Sequence, residues 1–407
     1  MERDVKAEKV FNYIFVGWCF LDILMRTSME GKMNEALSFL VGNDNVDINR
    51  LVDVIVLVFL LVLIVFVQRY TLKEIIMISL ISTPILVTAY NSGSKYLLSM
   101  FLFVIASKYA KMDNLVRSYF YVLLFMIPFI LLLCYYGVLP DLTMNRNGQI
   151  RHAFGFEHPN RLGMRVFQLS ACFCYITYNN GKVFLKNCLL LAAMIFVHIV
   201  PNSQTAYIGI FILVIIMFVG YIYDKYGIDK TRLMKLMLIG SVIVNVGTVI
   251  LSFNNPQKNH ILNSIDRFLS RRFFYDYKMY NYYGLTWFGQ KISTLVKDTK
   301  YVGVYRQWYL DNAYFSILLR FGIVVYIIFS ILYIVAIYYY VKSNNFPMVA
   351  ILFTYAVYGI MTTGFYMMSD NIFLLAIASP LYSKTPIEFK HGTNIIRITW
   401  NGYTPKI

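Results

Sequence analysis

Long apolar stretches separated by short polar ones repeat along the whole 407-residue chain. They fall near residues 10–26, 51–67, 75–90, 95–107, 118–139, 163–178, 183–200, 206–223, 233–251, 321–341, 346–363 and 371–383, and each predicts a helix. Apolar runs of about 18 residues or more are the mark of a bilayer span, although the first, fourth and last of these are short or carry polar residues. The pattern predicts an all-α integral membrane protein with about 12 transmembrane helices, a single polytopic domain over residues 1–407. Two long polar interruptions, 140–163 and 252–312, stand out as its large loops. No internal repeat or low-complexity linker breaks the series.

Composition agrees with this reading. The chain is 58% hydrophobic and 14% charged, whereas soluble domains average about 45–50% apolar and about 25% charged. Its net charge of +16 does not point to nucleic acid, because Lys and Arg are dealt out in small groups between apolar runs, as membrane orientation requires. With both termini inside the cell, the inner segments hold 19 of the 37 Lys and Arg, while 13 of the outer ones crowd into loops 140–165 and 252–312. Both large loops are therefore expected to be extracytoplasmic. The five cysteines all lie in expected spans and suggest neither a metal cage nor a disulfide framework. The charged start "MERDVKAEK" runs into a first helix without a small-residue cleavage site and reads as an uncleaved span.

Positive charge outside works against the orientation bias and calls for a local use. Long loops can cross the membrane whatever their charge, but the spacing here suggests anion binding. Arg161 and Arg165 are four apart, as are Arg267 and Arg271. On a helix, each pair would set like charges on one face, which costs free energy unless an anion lies between them. Arg presents a planar fork suited to phosphate oxygens; anionic lipid head groups would be a less specific partner.

The first loop holds "RHAFGFEHPNRLG" (Arg151–Gly163). Gly155 and Gly163 permit tight turns, and Pro159 is placed to open a helix. Arg151, His152, His158, Asn160 and Arg161 would then converge at a helix N-terminus, itself an anion site. The second loop is dense in aromatics, which either form an interfacial belt or stack against sugar rings. It ends in "YLDNAYFSILLRFG" (Tyr309–Gly322), where Asp311 is either a functional group at the membrane re-entry or, with Asn312, a helix cap. "PNSQT" (Pro201–Thr205) lies outside as well and could add contacts from Gln204. Asp44 and Asp47 are weak evidence for a metal, and none is expected in the chemistry; nor is any other cofactor.

"GFEHPNRLG" preceded by Arg151 resembles a signature of the Wzy-type polymerases of O-antigen and capsular polysaccharide, within the O-antigen polymerase and ligase superfamily. "LSRRFFYDYKMYNYYGLTWFGQKI" (Leu269–Ile292) looks like that family's second-loop pattern, and "LDNAYFSILLRFG" resembles its re-entry. The resemblance spans the chain in topology and three short segments in motif. It implies a membrane glycosyltransferase (GT-C-like) fold in the bacterial cytoplasmic membrane. The implied reaction is metal-independent glycosyl transfer between undecaprenyl-diphosphate-linked oligosaccharides on the outer leaflet, which lengthens a surface polysaccharide. Arg151, Arg161, Arg165, Arg267, Arg271 or Arg272, with Asn160, Gln204 and Asn312, would bind substrate, and Asp311 or His158 would take the acceptor proton. Membrane lipids, and a chain-length regulator, are the further partners it suggests; nucleic acid is not. Two departures from the family pattern stand out. Gln204 occupies a turn where many relatives carry Arg, and the second-loop Arg aligns as either Arg271 or Arg272. A lipid-linked glycan ligase is the nearest alternative, although ligases tend to carry His where this chain has Asp311. A flippase or other transporter would place its charges within the spans and tends to show paired repeats.

Overall fold

The computed structural model describes residues 2–41, 48–146, 148–179, 181, 183–297, 305–382, 387–391 and 394–398. The chain is 75% helical. Among the described residues, five helices are long and apolar enough to cross a membrane: Leu72–Ser92, Met112–Tyr135, Gln204–Lys225, Thr231–Ser252 and the continuous run Ala313–Lys342. The other expected spans also fall on helices: Glu2–Met25 and Pro159–Thr177 are long enough but more polar, and the rest are shorter, the last becoming a 3-10 turn, Ile372–Ile377, followed by Ala378–Tyr382. Asp44 and Asp47 lie outside the described residues.

Not everything is helix as the hydropathy pattern predicts. Among the described residues three antiparallel strand pairs form, Thr143–Arg146 with Gln149–His152, Leu295–Lys297 with Tyr305–Gln307, and Ile387–His391 with Asn394–Ile398. A polar helix, Glu30–Val41, follows the first span. These elements are too short or too polar to register in a span-length window.

The helices gather into two compact units, each drawn from separate stretches of the chain. The first comprises Met1–Arg69, Leu102–Lys230 and Phe346–Thr354. Its core is built where Glu2–Met25 packs on Met112–Tyr135, with Phe11 and Phe15 fully buried. Small residues let its helices approach closely, the usual device where lipid removes any hydrophobic drive between spans. A Cβ on Gly209 would stand 2.8 Å from the Phe167 ring, and one on Gly163 would stand 2.5 Å from Ser203 Cβ. Gly163 is therefore a helix-packing residue within Pro159–Thr177, not the turn expected from sequence. The turn belongs to Gly155, whose φ of +86° is open to glycine.

The second unit comprises Tyr70–Phe101, Thr231–Asn345 and Tyr355–Ile407. Its helix Leu72–Ser92 starts in a capping box, in which Thr71 Oγ1 accepts from Glu74 N and Glu74 Oε2 accepts from Thr71 N, and stops at left-handed Gly93. The run Ala313–Lys342 is not one regular helix. It begins as Ala313–Ser316, loosens into the π-helical turn Ile317–Phe321, and resumes at Gly322 with φ +87°. The segment around "TWFGQ" fills this break: Gln290 N donates to Arg320 O, Ile323 N to Thr286 O and Val324 N to Trp287 O, at 3.0, 3.0 and 3.2 Å. Backbone groups freed by an irregular helix must be satisfied by protein where water is excluded, and this segment does so. Two of the three motif segments noticed in the sequence are thus a single packed structure.

Candidate functional site

In the first unit, the Arg151–Gly163 stretch is pinned to the end of the first helix. Thr27 pairs with Phe156, and Ser28 N donates to Gly155 O at 2.9 Å. Asp141 ties the far side of the loop, accepting from Phe154 N at 2.7 Å and Ala153 N at 3.1 Å and contacting His152 Nδ1 at 2.6 Å. Pro159 opens the helix as the sequence predicts, and His158 is its N-cap, its Nδ1 accepting from Asn160 N at 2.9 Å.

That cap fixes the tautomer. A neutral imidazole accepts on one nitrogen only, so with Nδ1 engaged the proton sits on Nε2. Burial lowers the His158 pKa, and Arg151 and Arg161 lower it further against the opposing pull of Glu157. The ring is therefore neutral but has no spare lone pair for an acceptor proton unless the cap breaks.

The arginines of this unit are bound to protein partners. Arg151, almost fully buried, donates from Nε to Pro201 O at 2.9 Å and from its guanidinium to Asn160 Oδ1. It thereby clamps the loop, the "PNSQT" turn and the helix start together; Gln204 begins the next helix three residues beyond Pro201. The pair Arg161 and Arg165 does not cradle one anion. Arg161 Nε meets Glu157 Oε1 at 2.5 Å, while Arg165 is 1% exposed and donates to Asp22 Oδ2 at 2.8 Å, Gln168 Oε1 at 3.1 Å and Tyr119 Oη at 3.2 Å. Each of the two charges meets a different carboxylate, so the like-charge cost is met within the protein. Burial alone would raise the Glu157 carboxyl, but Arg161, a hydrogen bond with Glu30 and the Arg26 charge together hold it below its ordinary value.

In the second unit the Arg267 and Arg271 pair also dissolves. Arg267 lies on His260–Phe268, and that helix ends before Arg271. Ser270 and Arg271 turn left-handed, with φ +58° and +62°, and a new helix, Arg272–Tyr283, begins. The turn is held by Asp266, which accepts from Phe273 N at 2.8 Å and Phe274 N at 3.3 Å. Arg267 and Arg271 are both exposed. Arg272 instead turns inward, donating to Leu269 O at 2.6 Å and lying with Nε 3.9 Å from Asp311 Oδ2.

Asp311 is 49% exposed and leaves the capping to Asn312, which accepts from Phe315 N. Burial raises the Asp311 pKa, with Arg272 opposing, and the net shift is upward. A carboxylate so placed is both reachable and a stronger base than a free one.

Behind it stands Asp276, which sequence reasoning missed and which is fully buried. Its Oδ2 lies 2.8 Å from Ser252 Oγ and 2.8 Å from Asn312 Nδ2, while Oδ1 has no partner. Ser252 also has Thr248 O at 2.9 Å, yet carries a single hydroxyl proton for two acceptors. If Asp276 is protonated on Oδ2 it donates to Ser252, Ser252 donates to Thr248, and Asn312 donates to both oxygens; every contact is then satisfied. Burial likewise pushes the Asp276 pKa up to about 8, against the bonds from Asn312 and Ser252.

No known family model, curated protein or solved structure matches the chain.

Proposed function

We propose that this membrane protein transfers glycosyl units between lipid-linked oligosaccharides, lengthening a surface polysaccharide as the Wzy-type polymerases that its motifs resemble do. The observation that carries this reading is the Asp311 carboxylate, 49% exposed, beside Arg272 at the start of the Ala313–Lys342 helix, with Asn312 bonded to the buried Asp276. A base and a guanidinium side by side suit attack by a sugar hydroxyl on an anomeric carbon that leaves a diphosphate.

In this reaction the acceptor oxygen bonds to the donor's anomeric carbon as its C–O bond to diphosphate breaks, with inversion. Asp311 takes the hydroxyl proton, and Arg272 stabilises the departing charge through its fork. Exposed Arg271 and Arg267 add long-range attraction for the anion. In the first unit, taken by itself, Arg161 is paired with Glu157, and Arg151, Asn160 and His158 hold the loop in shape. Arg165 and Gln204 act through packing around that loop.

The same reading includes about 12 spans of a GT-C-like fold in the bacterial cytoplasmic membrane, both termini cytoplasmic and both large loops outside. The test is loss of function followed by a ladder gel of surface polysaccharide. Collapse to single lipid-linked repeats supports polymerisation. Loss of every outer-leaflet repeat would identify a flippase, and long unattached chains would identify a ligase.

A further inference from the structure

Most inward-turned arginines meet a partner within the protein. Arg26 and Arg165 share Asp22, Arg161 has Glu157 and Arg272 has Asp311, while Arg151 is held by Pro201 O and Asn160. Arg320 has no carboxylate or carbonyl partner among the described residues, whereas Arg272, whose Nε also lacks a hydrogen bond, has Leu269 O and Asp311. It sits in the π-helical turn Ile317–Phe321 among fully buried apolar neighbours and is itself partly buried. Its Nε is buried without a hydrogen-bond partner among the described residues. Single π-helical turns often mark functional positions, and a partly buried guanidinium with no carboxylate partner at the edge of a span is costly unless an anion reaches it.

The surroundings indicate which anion. Gln290 N donates to Arg320 O, which places Lys291 at the same junction, and Lys291 Cε lies 3.7 Å from where a Cβ on Gly93 would stand. The connection beyond Gly93 carries exposed Lys95 and a Ser94 that is 9% exposed, its Oγ also lacking a partner. Trp287 and Phe288 are 66% and 43% exposed on the same segment, and Asn91 Nδ2 binds Phe288 O at 2.9 Å. Exposed aromatics, lysines and the close of the helix Leu72–Ser92 together mark head-group depth. A phosphate is the anion met at that depth, with acyl chains below it for the rings.

We propose that Arg320, with Lys291 and Ser94, binds the phosphate of a lipid head group, while Trp287 and Phe288 lie against its chains. Nothing in this site depends on the transfer reaction proposed above. The phosphate could belong to a bilayer phospholipid or to a polyprenyl diphosphate, and the chemistry at Arg320 is shared.

Native mass spectrometry of the purified full chain, with phosphatidylglycerol, undecaprenyl diphosphate or phosphate-free diacylglycerol added, separates the sources. Wild type should retain a phosphate-bearing lipid at least ten-fold better than Arg320→Gln and about three-fold better than Lys291→Gln, and should not select diacylglycerol. Selective retention of phosphatidylglycerol assigns the site to a membrane lipid; its displacement by undecaprenyl diphosphate assigns it to a substrate lipid. Lys291 is exposed, so its variant remains informative if Arg320→Gln fails to fold. Equal retention of both phosphate lipids by wild type and Lys291→Gln, or by wild type and any folded Arg320 variant, overturns the proposal.

Discussion

Asp276 makes the most quantitative prediction. Replacing it by Asn keeps the shape and removes the proton equilibrium. Because the folded-state pKa is raised from 3.8 to about 8, the neutral acid is the stable form. Its contribution is complete below the unfolded value and is lost as pH rises through about 8. At about 1.36 kcal/mol per pH unit, the two units between pH 6 and pH 8 cost the wild type about 2.7 kcal/mol. Asp276→Asn should lack that slope. At low pH it should be about 1 kcal/mol less stable, since one amide group cannot both donate to Ser252 and accept from Asn312 at the same atom. Because the wild type loses about 1.36 kcal/mol per unit once pH passes the unfolded value, the order should reverse at about pH 4.5, and Asp276→Asn should be the more stable protein at neutral pH. Thermal unfolding of both proteins in detergent from acid to alkaline pH, on both sides of that reversal, would measure this. Parallel curves, with no crossover, would refute a buried neutral carboxyl at this position.

Three further outcomes follow from the geometry. His158→Asn, which can still cap the helix, should polymerise normally, and His158→Ala should lose about 1 kcal/mol of stability; loss of polymer at unchanged stability in His158→Asn would restore histidine as the base. Arg272→Lys should shorten the polymer severely at unchanged protein level, whereas Arg271→Lys should leave chain length near wild type; a ladder gel separates them, and the reverse order would reassign the inward arginine. Gly322→Ala should fail to yield folded protein in size-exclusion chromatography, because its Cβ would meet Gly289 N at 2.5 Å and Trp287 O at 2.6 Å at a φ of +87°; a monodisperse, fully stable variant would contradict the packing of the broken helix.

What the sequence reveals and what it hides follows from the range of each interaction. Apolar runs locate the helices, and the local signals at Gly155, Pro159 and Asn312 each describe the backbone that forms there. The ion pair Glu157–Arg161 has a local signature too, an i,i+4 spacing, but the like-charge spacing of Arg161 and Arg165 competes with it in the same stretch. Asp22 and Arg165 are 143 residues apart, and Asn312 lies 36 residues from Asp276, so no spacing argument could join them. The Arg267 and Arg271 face failed for a different reason. Two consecutive non-glycine residues, Ser270 and Arg271, adopt left-handed backbone, a choice that Asp266 stabilises and that propensity does not announce.

Asp311 is the residue on which the functional account turns. Purified wild type and Asp311→Asn, each reconstituted with lipid-linked repeat units, should both bind the donor lipid with similar affinity. Only the wild type should then release undecaprenyl diphosphate and form chains longer than one repeat. Chain growth by Asp311→Asn at the wild-type rate, with donor binding intact, would contradict the account.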